Sequence, residues 1–490
     1  MNNISSERNS LQNYLLFILF LTIGLSFGYF LIYLEILFPN DGVSYIASAD
    51  YLLKNMDLKD AVYDPVRKLI SPQVSQIFVI AFTKLFFAQY WFFLYFFLQI
   101  NIFFIAYRFF QESSLAKKNK LLSFVLLIGS VFILPIFYRN MTNFNGEGLF
   151  FPLMLIYFCI VWKGLSWKLS NLSLFSVFFL GLFLIFFRIQ VISLILAFLI
   201  LILIRQKYNK EDLSLFLALI SAPVVSFCVY IFFLQEKILD DVIQNTLSFN
   251  NFFQNIYFNT VNLFTFPFFH EKYFSVDSFL IIKTIIFSIF AFLIAYNFRS
   301  ILKSNKDLLM LSILTILGSL FFISLLGINS QRFFLIPYFF FVLTLLTYWD
   351  YNPIKSIAMF LFVIFFGFIY FFINQMDDKS FETSELRTDF SGYYEAIDFF
   401  EKNYENELLA CSKPRFYYWH VKKACMHLID IPNDYFSEAF KVIDKKYIFY
   451  LGTEKELSSL RENYFFKKFE IIWGNDALSK DKIYKLSLGN

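Results

Sequence analysis

The stretch Asn171-Leu-Ser-Leu-Phe-Ser-Val-Phe-Phe-Leu-Gly-Leu-Phe-Leu-Ile-Phe-Phe187, then Arg188, then Ile189-Gln-Val-Ile-Ser-Leu-Ile-Leu-Ala-Phe-Leu-Ile-Leu-Ile-Leu-Ile-Arg205, decides the architecture. Two apolar runs meet at one arginine, with no polar face on either. A helix that is apolar all round is buried in protein or in lipid. The pair reads as two membrane-crossing helices joined by a tight turn at Arg188.

Outward from this pair the same pattern repeats. Apolar runs fall near 13–38, 73–88, 90–110, 121–138, 147–163, 213–234, 277–298, 307–326, 331–349 and 354–374. The 490 residues are 58% hydrophobic, 22% aromatic and only 16% charged, which no soluble domain of this length can bury. The 74 Phe favour lipid-facing helices over a barrel with a polar lumen. We therefore expect a polytopic α-helical membrane protein of about 11–12 transmembrane helices. The net charge of +4 is carried mostly by short loops, where it sets topology, and no nucleic-acid patch stands out.

The basic connectors are 108–120, 163–168, 205–210 and 299–306. Placing them in the cytoplasm puts 39–72, 139–147, the Arg188 turn, 235–276, 327–332 and everything after 375 outside. One conflict stays open. Two full spans in 73–110 would carry Lys117, Lys118 and Lys120 outside, whereas a single net crossing would not. The division expected is a transmembrane region 1–376, with a first outer loop 39–72 and a large outer loop 235–276, followed by a small extracytoplasmic α/β domain at 377–490. In that tail, Tyr393–Tyr404 has amphipathic helical spacing, and Leu408–Cys411, Tyr447–Leu451, Phe469–Trp473 and Ile483–Leu486 read as short strands. Cys411 and Cys425 share this segment and pair if it faces an oxidising compartment. No Cys/His/acid cluster has metal-ligand spacing.

Chemistry-bearing residues gather at the outer ends of the runs. Pro39-Asn40-Asp41-Gly42 ends the first run, and Asp41 reads either as a turn aspartate or as a carboxylate held at the water–lipid boundary. Val43–Leu53 has helical spacing and is expected to lie along the membrane surface. Glu147 opens a span at the outer mouth, where the helix dipole favours an acid. Arg188 and Arg332 are outer arginines against the usual charge bias; each is an interfacial anchor or a clamp for a phosphate. Arg67 and Lys68, with Lys54 and Lys59, are the cations of the first outer loop.

Asp41-Gly-Val-Ser-Tyr45-Ile-Ala47-Ser-Ala49-Asp-Tyr51, Gly146-Glu147-Gly-Leu-Phe150, Gln331-Arg332-Phe333-Phe334-Leu335-Ile336-Pro337 and the helix-plus-strands tail together resemble the GT-C class of membrane glycosyltransferases. The chain is similar to the protein O-mannosyltransferases and to the transferase that adds aminoarabinose to lipid A. Many relatives carry Asp-Glu where this chain has Asp41-Gly42, so only Asp41 matches the catalytic acid. The resemblance implies a polyprenyl-phosphate-linked sugar donor, a glycan, lipid or protein acceptor, and inverting transfer on the outer face of a bacterial inner membrane. It makes Asp41 the base, with Arg332, Glu147, Arg188, Tyr45, Arg67 and Lys68 as substrate-binding candidates. It implies no cofactor and leaves any need for a divalent metal open. Two rival readings are a surface-polysaccharide polymerase or ligase, which shares the donor chemistry, and a transporter or flippase for lipid-linked glycans. The latter needs polar residues spread through several spans, and these spans are almost uniformly apolar.

Overall fold

The computed structural model describes residues 41–56, 73–88, 91–113, 146–205, 210–234, 306–325, 334–351, 383–413, 447–454, 466–474 and 481–488, with isolated residues around 115–127, 255–263 and 417–425 and at 456–457. The chain is mostly helical with a small C-terminal sheet. It separates into two compact units. One holds the described helices between Phe86 and Asp377. The other combines the described residues up to Leu85 with the C-terminal domain.

The helical unit contains α3 (Trp91–Glu112), α4 (Glu147–Gly164), α5 (Asn171–Phe187), α6 (Val191–Ile204), α7 (Lys210–Leu234), α8 (Lys306–Leu325) and α9 (Leu335–Tyr351). By length and composition, α3 and Lys306–Ser324 of α8 suffice to cross a membrane; the other apolar helices are shorter. Helix α4 lies innermost. Met154, Leu155, Tyr157, Phe158 and Val161 are fully enclosed. Phe158 meets Phe198 of α6 and Phe340 of α9, with ring centroids 5.7 and 5.6 Å apart. Gly181 of α5 supplies the room for Tyr157: a Cβ there would stand 3.3 Å from the Tyr157 ring and from Ala222 of α7. Helices α6 and α8 approach closely through small residues, with the Ser193 and Ser319 hydroxyls 2.8 Å apart beside Gly318.

The outward faces are apolar too. Leu213, Leu217, Ile220, Val224 and Phe227 form an exposed stripe on α7, Leu172, Phe175 and Phe179 one on α5, and Ile313, Leu317 and Phe321 one on α8. Water rarely meets apolar surface repeated in this way.

Ion pairs and turns fix the direction of each helix. Arg205, just past α6, pairs with Asp307 at the start of α8 and donates through Nη1 to the Leu165 carbonyl after α4 at 2.8 Å. Lys163 meets Glu112 of α3 at 3.6 Å, and Lys120 donates to the Gln111 carbonyl. The ends of α3, α4 and α6 and the start of α8 therefore share one end, which carries the basic connectors. The starts of α4, α6 and α9 and the ends of α5 and α8 share the other. Helix α3, with 22 residues, runs about 33 Å and delivers Lys120 to the basic end. Helix α2 (Val74–Phe87) has 14 residues, about 21 Å, the same length as α6.

In the second unit, α1 (Asp41–Asn55) and α2 are joined by an ion pair between Asp50 and Lys84. The C-terminal domain is α10 (Thr383–Tyr404) against a sheet of β1 (Leu409–Cys411), β2 (Tyr447–Thr453), β3 (Phe466–Trp473) and β4 (Asp481–Leu488). The strand order is β1-β2-β4-β3, with β1 parallel to β2 and the other pairs antiparallel. Strands β2 and β3 fall where β-branched and aromatic residues concentrate. Alternate residues serve opposite faces: Phe449, Leu451 and Ile483 pack on Tyr393, Ala396, Ile397 and Phe400 of α10, while Ile448, Tyr450, Tyr484 and Leu486 form a second core with Leu457 and Phe466. Both faces are covered, which is why β2 reads as a continuous apolar run rather than an alternation. Cys411 and Cys425 form a disulfide, their Cα atoms 6.0 Å apart. It closes a segment bound along α10 by Tyr417 and Lys423 on Glu401 and by His420 on Asp398 at 2.7 Å.

Candidate functional site

The site is built at the end of the helical unit opposite Arg205. Gly146 adopts φ 86°, a left-handed conformation that glycine enters without strain, and its carbonyl accepts from the Leu149 and Phe150 amides at 3.1 and 2.8 Å. This turn makes Glu147 the first residue of α4. Pro152, inside the helix, has no N–H to give the Gly148 carbonyl four residues back. Arg188 ends α5 in an extended conformation, its amide donating to the Leu184 carbonyl at 2.8 Å. The Arg188 carbonyl then accepts from Val191 at 3.0 Å, closing the turn into α6.

Contacts lower down set the levels of these residues. Helices α4 and α5 run antiparallel, with Phe150 6.4 Å from Phe187 by ring centroids and Tyr157 against Gly181. Continuing that register by one turn places Glu147 beside the Arg188–Gln190 turn. Helices α6 and α8 are also antiparallel, with Ser193 against Gly318 and Ser319. The same step places Ser324 at the level of Arg188–Gln190. Two residues of the large loop reach this level: Asn259 donates through Nδ2 to the Ser324 hydroxyl at 2.9 Å, and Asn255 donates to the Ser324 carbonyl at 3.3 Å. Helix α9 starts at this end as well. Thus Glu147, Arg188 and the start of α9 come to one end, as do Asn255 and Asn259, which no sequence pattern marks.

Asp41 and Tyr45 lie in the other unit, on α1. Asp41 is the first residue of that helix and Tyr45 is buried. The helix is enclosed more fully than a surface helix would be. Residues 45–49 are buried in unbroken succession, and the Ser48 hydroxyl lies there without a hydrogen-bond partner among the described residues. The small side chains Ala47, Ser48 and Ala49 allow such close enclosure. Helix α2 adds further buried polar groups, Gln73, Ser75 and Gln76, at its start. Arg67, Lys68 and Arg332 lie outside the described residues, as does the first apolar run, 13–38.

Compared with known proteins, the chain matches no family model and no curated sequence.

Proposed function

We propose that this protein is a polytopic membrane glycosyltransferase that moves a sugar from a polyprenyl-phosphate-linked donor to a glycan, lipid or protein acceptor, with inversion, on the outer face of a bacterial inner membrane. The observation that carries this reading is that the start of α4 at Glu147 and the end of α5 at Arg188 come to the same end of a largely apolar helical unit. A carboxylate and a guanidinium at the mouth of apolar helices suit a ligand with an anionic phosphate, a hydroxylated head and an apolar tail. Arg188, with Arg332 from the sequence just before α9, takes the phosphate, since a guanidinium matches its oxygens. Glu147 accepts from sugar hydroxyls. Tyr45, Arg67 and Lys68 belong, like Asp41, to the first outer segment of the sequence and are the candidates for binding the acceptor.

Asp41 acts as the base. Its carboxylate takes the proton of the acceptor hydroxyl as that oxygen bonds to the anomeric carbon. The bond from that carbon to the phosphate oxygen breaks, and polyprenyl phosphate leaves with the electron pair. Exclusion of water protects the donor from hydrolysis, a role suited to a domain outside the membrane. Three further observations support the membrane reading. The exposed apolar stripes on α5, α7 and α8 suit lipid contact, α3 delivers Lys120 to the end with the other basic connectors, and the Cys411–Cys425 disulfide suits an oxidising compartment.

The test compares the parent with Asp41→Asn in membranes, following release of polyprenyl phosphate from labelled lipid-phosphosugars with native envelope extract as acceptor. Removal of a catalytic base is expected to lower release by about 100-fold or more. Equal release by the two proteins, at equal expression, removes Asp41 from the mechanism.

A further inference from the structure

The end of the helical unit that carries Glu147 and Arg188 also buries two amide side chains with open hydrogen-bonding capacity. Gln190 is 3% exposed and Asn259 fully buried. Neither Gln190 Nε2 nor Asn259 Oδ1 has a partner among the described residues. Each such group forfeits about 1–3 kcal/mol of hydration without replacement. Their surroundings hold them in place. The Gln190 carbonyl accepts from the Ser193 hydroxyl at 2.7 Å, and Asn259 is fixed by its other amide atom to Ser324. The α6/α8 register puts Ser324 at the level of Gln190, and the α4/α5 register adds Glu147.

We propose that Gln190 and Asn259 read the hydroxyl groups of a sugar bound at this end, setting which sugar the site accepts. The chemistry of the open atoms selects the ligand class. Gln190 offers a donor and Asn259 an acceptor. A phosphate only accepts and leaves Asn259 open, whereas an ammonium only donates and leaves Gln190 open. A hydroxyl does both, and neighbouring hydroxyls on a pyranose ring offer a donor to one amide and an acceptor to the other. Glu147 adds a second acceptor, and Arg188 takes the phosphate, which leaves the two amides to the ring. That the sugar arrives on a polyprenyl phosphate rests on the function proposed above; that it is a hydroxylated ring rests on the two amides.

The experiment uses the full chain in lipid nanodiscs. Probes are decaprenyl phosphate, a panel of decaprenyl-phosphoryl hexoses and pentoses, and the corresponding free methyl glycosides. Variants are Gln190→Met and Asn259→Leu, which keep side-chain bulk and remove the amide; using both covers the case in which one fails to fold. The parent is expected to bind at least one sugar-bearing lipid about tenfold more tightly than decaprenyl phosphate, the worth of one or two hydrogen bonds. In each folded variant that ratio falls towards one, while affinity for decaprenyl phosphate stays within about twofold. A parent that binds every lipid equally overturns the sugar-reading role and leaves the lipid-donor function standing. A preference that survives in the variants also overturns it. Failure of the parent to bind any lipid, with methyl glycosides still raising its melting temperature through Gln190 and Asn259, supports the sugar site and removes the lipid donor. No response to either kind of probe overturns both.

Discussion

In the C-terminal domain, several buried polar groups are answered from within. Asp481, 4% exposed, meets Lys413 at 3.3 Å, and the Tyr393 hydroxyl accepts from the Lys413 amide at 3.2 Å. Tyr417 donates to Glu401, and Thr453 and Glu456 cap each other in a reciprocal box, with the Thr453 amide 2.8 Å from the carboxylate. At the Arg188 end of the helical unit the same kind of atom is buried and left open on Gln190 and Asn259. Burying a polar group is equally unfavourable in both places. Where the chain supplies the partner, the group is architecture; where open amides gather at the end that carries Glu147 and Arg188, a ligand has a reason to bind. Substitutions in the two regions should therefore fail differently.

The largest effect is expected at the open end. Glu147→Gln and Arg188→Ala should each lower transfer by about 100-fold, the usual loss when one group that stabilises developing charge is removed. Their thermal stability should stay close to the parent's. Arg205→Ala, at the opposite end, should do the reverse. It loses a half-exposed ion pair and a hydrogen bond to the Leu165 carbonyl, together about 1–2 kcal/mol, with activity per folded molecule unchanged. If Arg205→Ala abolished transfer while Arg188→Ala did not, the contrast between the two ends would collapse.

The C-terminal domain sharpens the contrast through stability alone. Replacing Cys411 and Cys425 together by Ser should destabilise it by about 2–4 kcal/mol, because the unfolded segment gains the entropy that the cross-link removes. Differential hydrogen exchange in β1 and along α10 would report the loss, and sugar preference should not move. A smaller effect is expected from Gly146→Ala, where a Cβ must enter the left-handed region at a strain of about 1–2 kcal/mol. Relaxing that strain displaces the start of α4 and Glu147 with it. Transfer should fall further than the loss of folded protein explains, and a normal rate per folded molecule would separate Glu147 from the site.

Much of this architecture is legible in the residues. Apolar runs longer than any strand mark α3 to α9, and Tyr447-Ile-Phe-Tyr-Leu451 marks β2. Positive charge in Lys120, Lys163 and Arg205 marks the end they share. Three features are not legible, each because the signal lies between distant segments. Gln190 reads as a turn residue between two apolar runs, and only the packing of α6 on α8 reveals that its amide is buried. Asn259 is one of many asparagines in a long loop until Ser324 is placed beside it, 65 positions away. Spacing gives α1 its helix but not its enclosure, because the burial of Ser48 depends on what surrounds it. The Cys411–Cys425 pair likewise depends on the path of a segment that sequence pattern does not fix. Helix α10 begins at Thr383, ahead of the Tyr393 start that its apolar spacing suggests, since the turns before Tyr393 offer few apolar side chains to align.

The smallest effect, invisible at neutral pH, concerns the phenols of the C-terminal domain. Burial raises Tyr393, Tyr417 and Tyr450 above the ordinary value of 10.0; the neighbouring Glu401 adds to the shift at Tyr417, and Glu456 and Tyr484 add to it at Tyr450. Raised phenols stay protonated in the folded domain at pH values where the unfolded chain has released their protons. The stability they allow is complete below pH 10 and declines as pH rises from there towards their folded values. For a buried phenol the decline is at most about 1.4 kcal/mol per pH unit. The pH profile of the parent sums over all three phenols and does not separate them. Tyr450→Phe does isolate one, because the ring keeps its place between Tyr484 and Leu457 and only the ionisable group goes. Its alkaline unfolding midpoint, followed by hydrogen exchange in β2 and β4 of the full chain, should move upward, while stability at pH 7 changes by about 1 kcal/mol or less. An unchanged midpoint would mean that Tyr450 ionises freely in the folded domain, and that this region is not as closed to water as its contrast with the Gln190–Asn259 end requires.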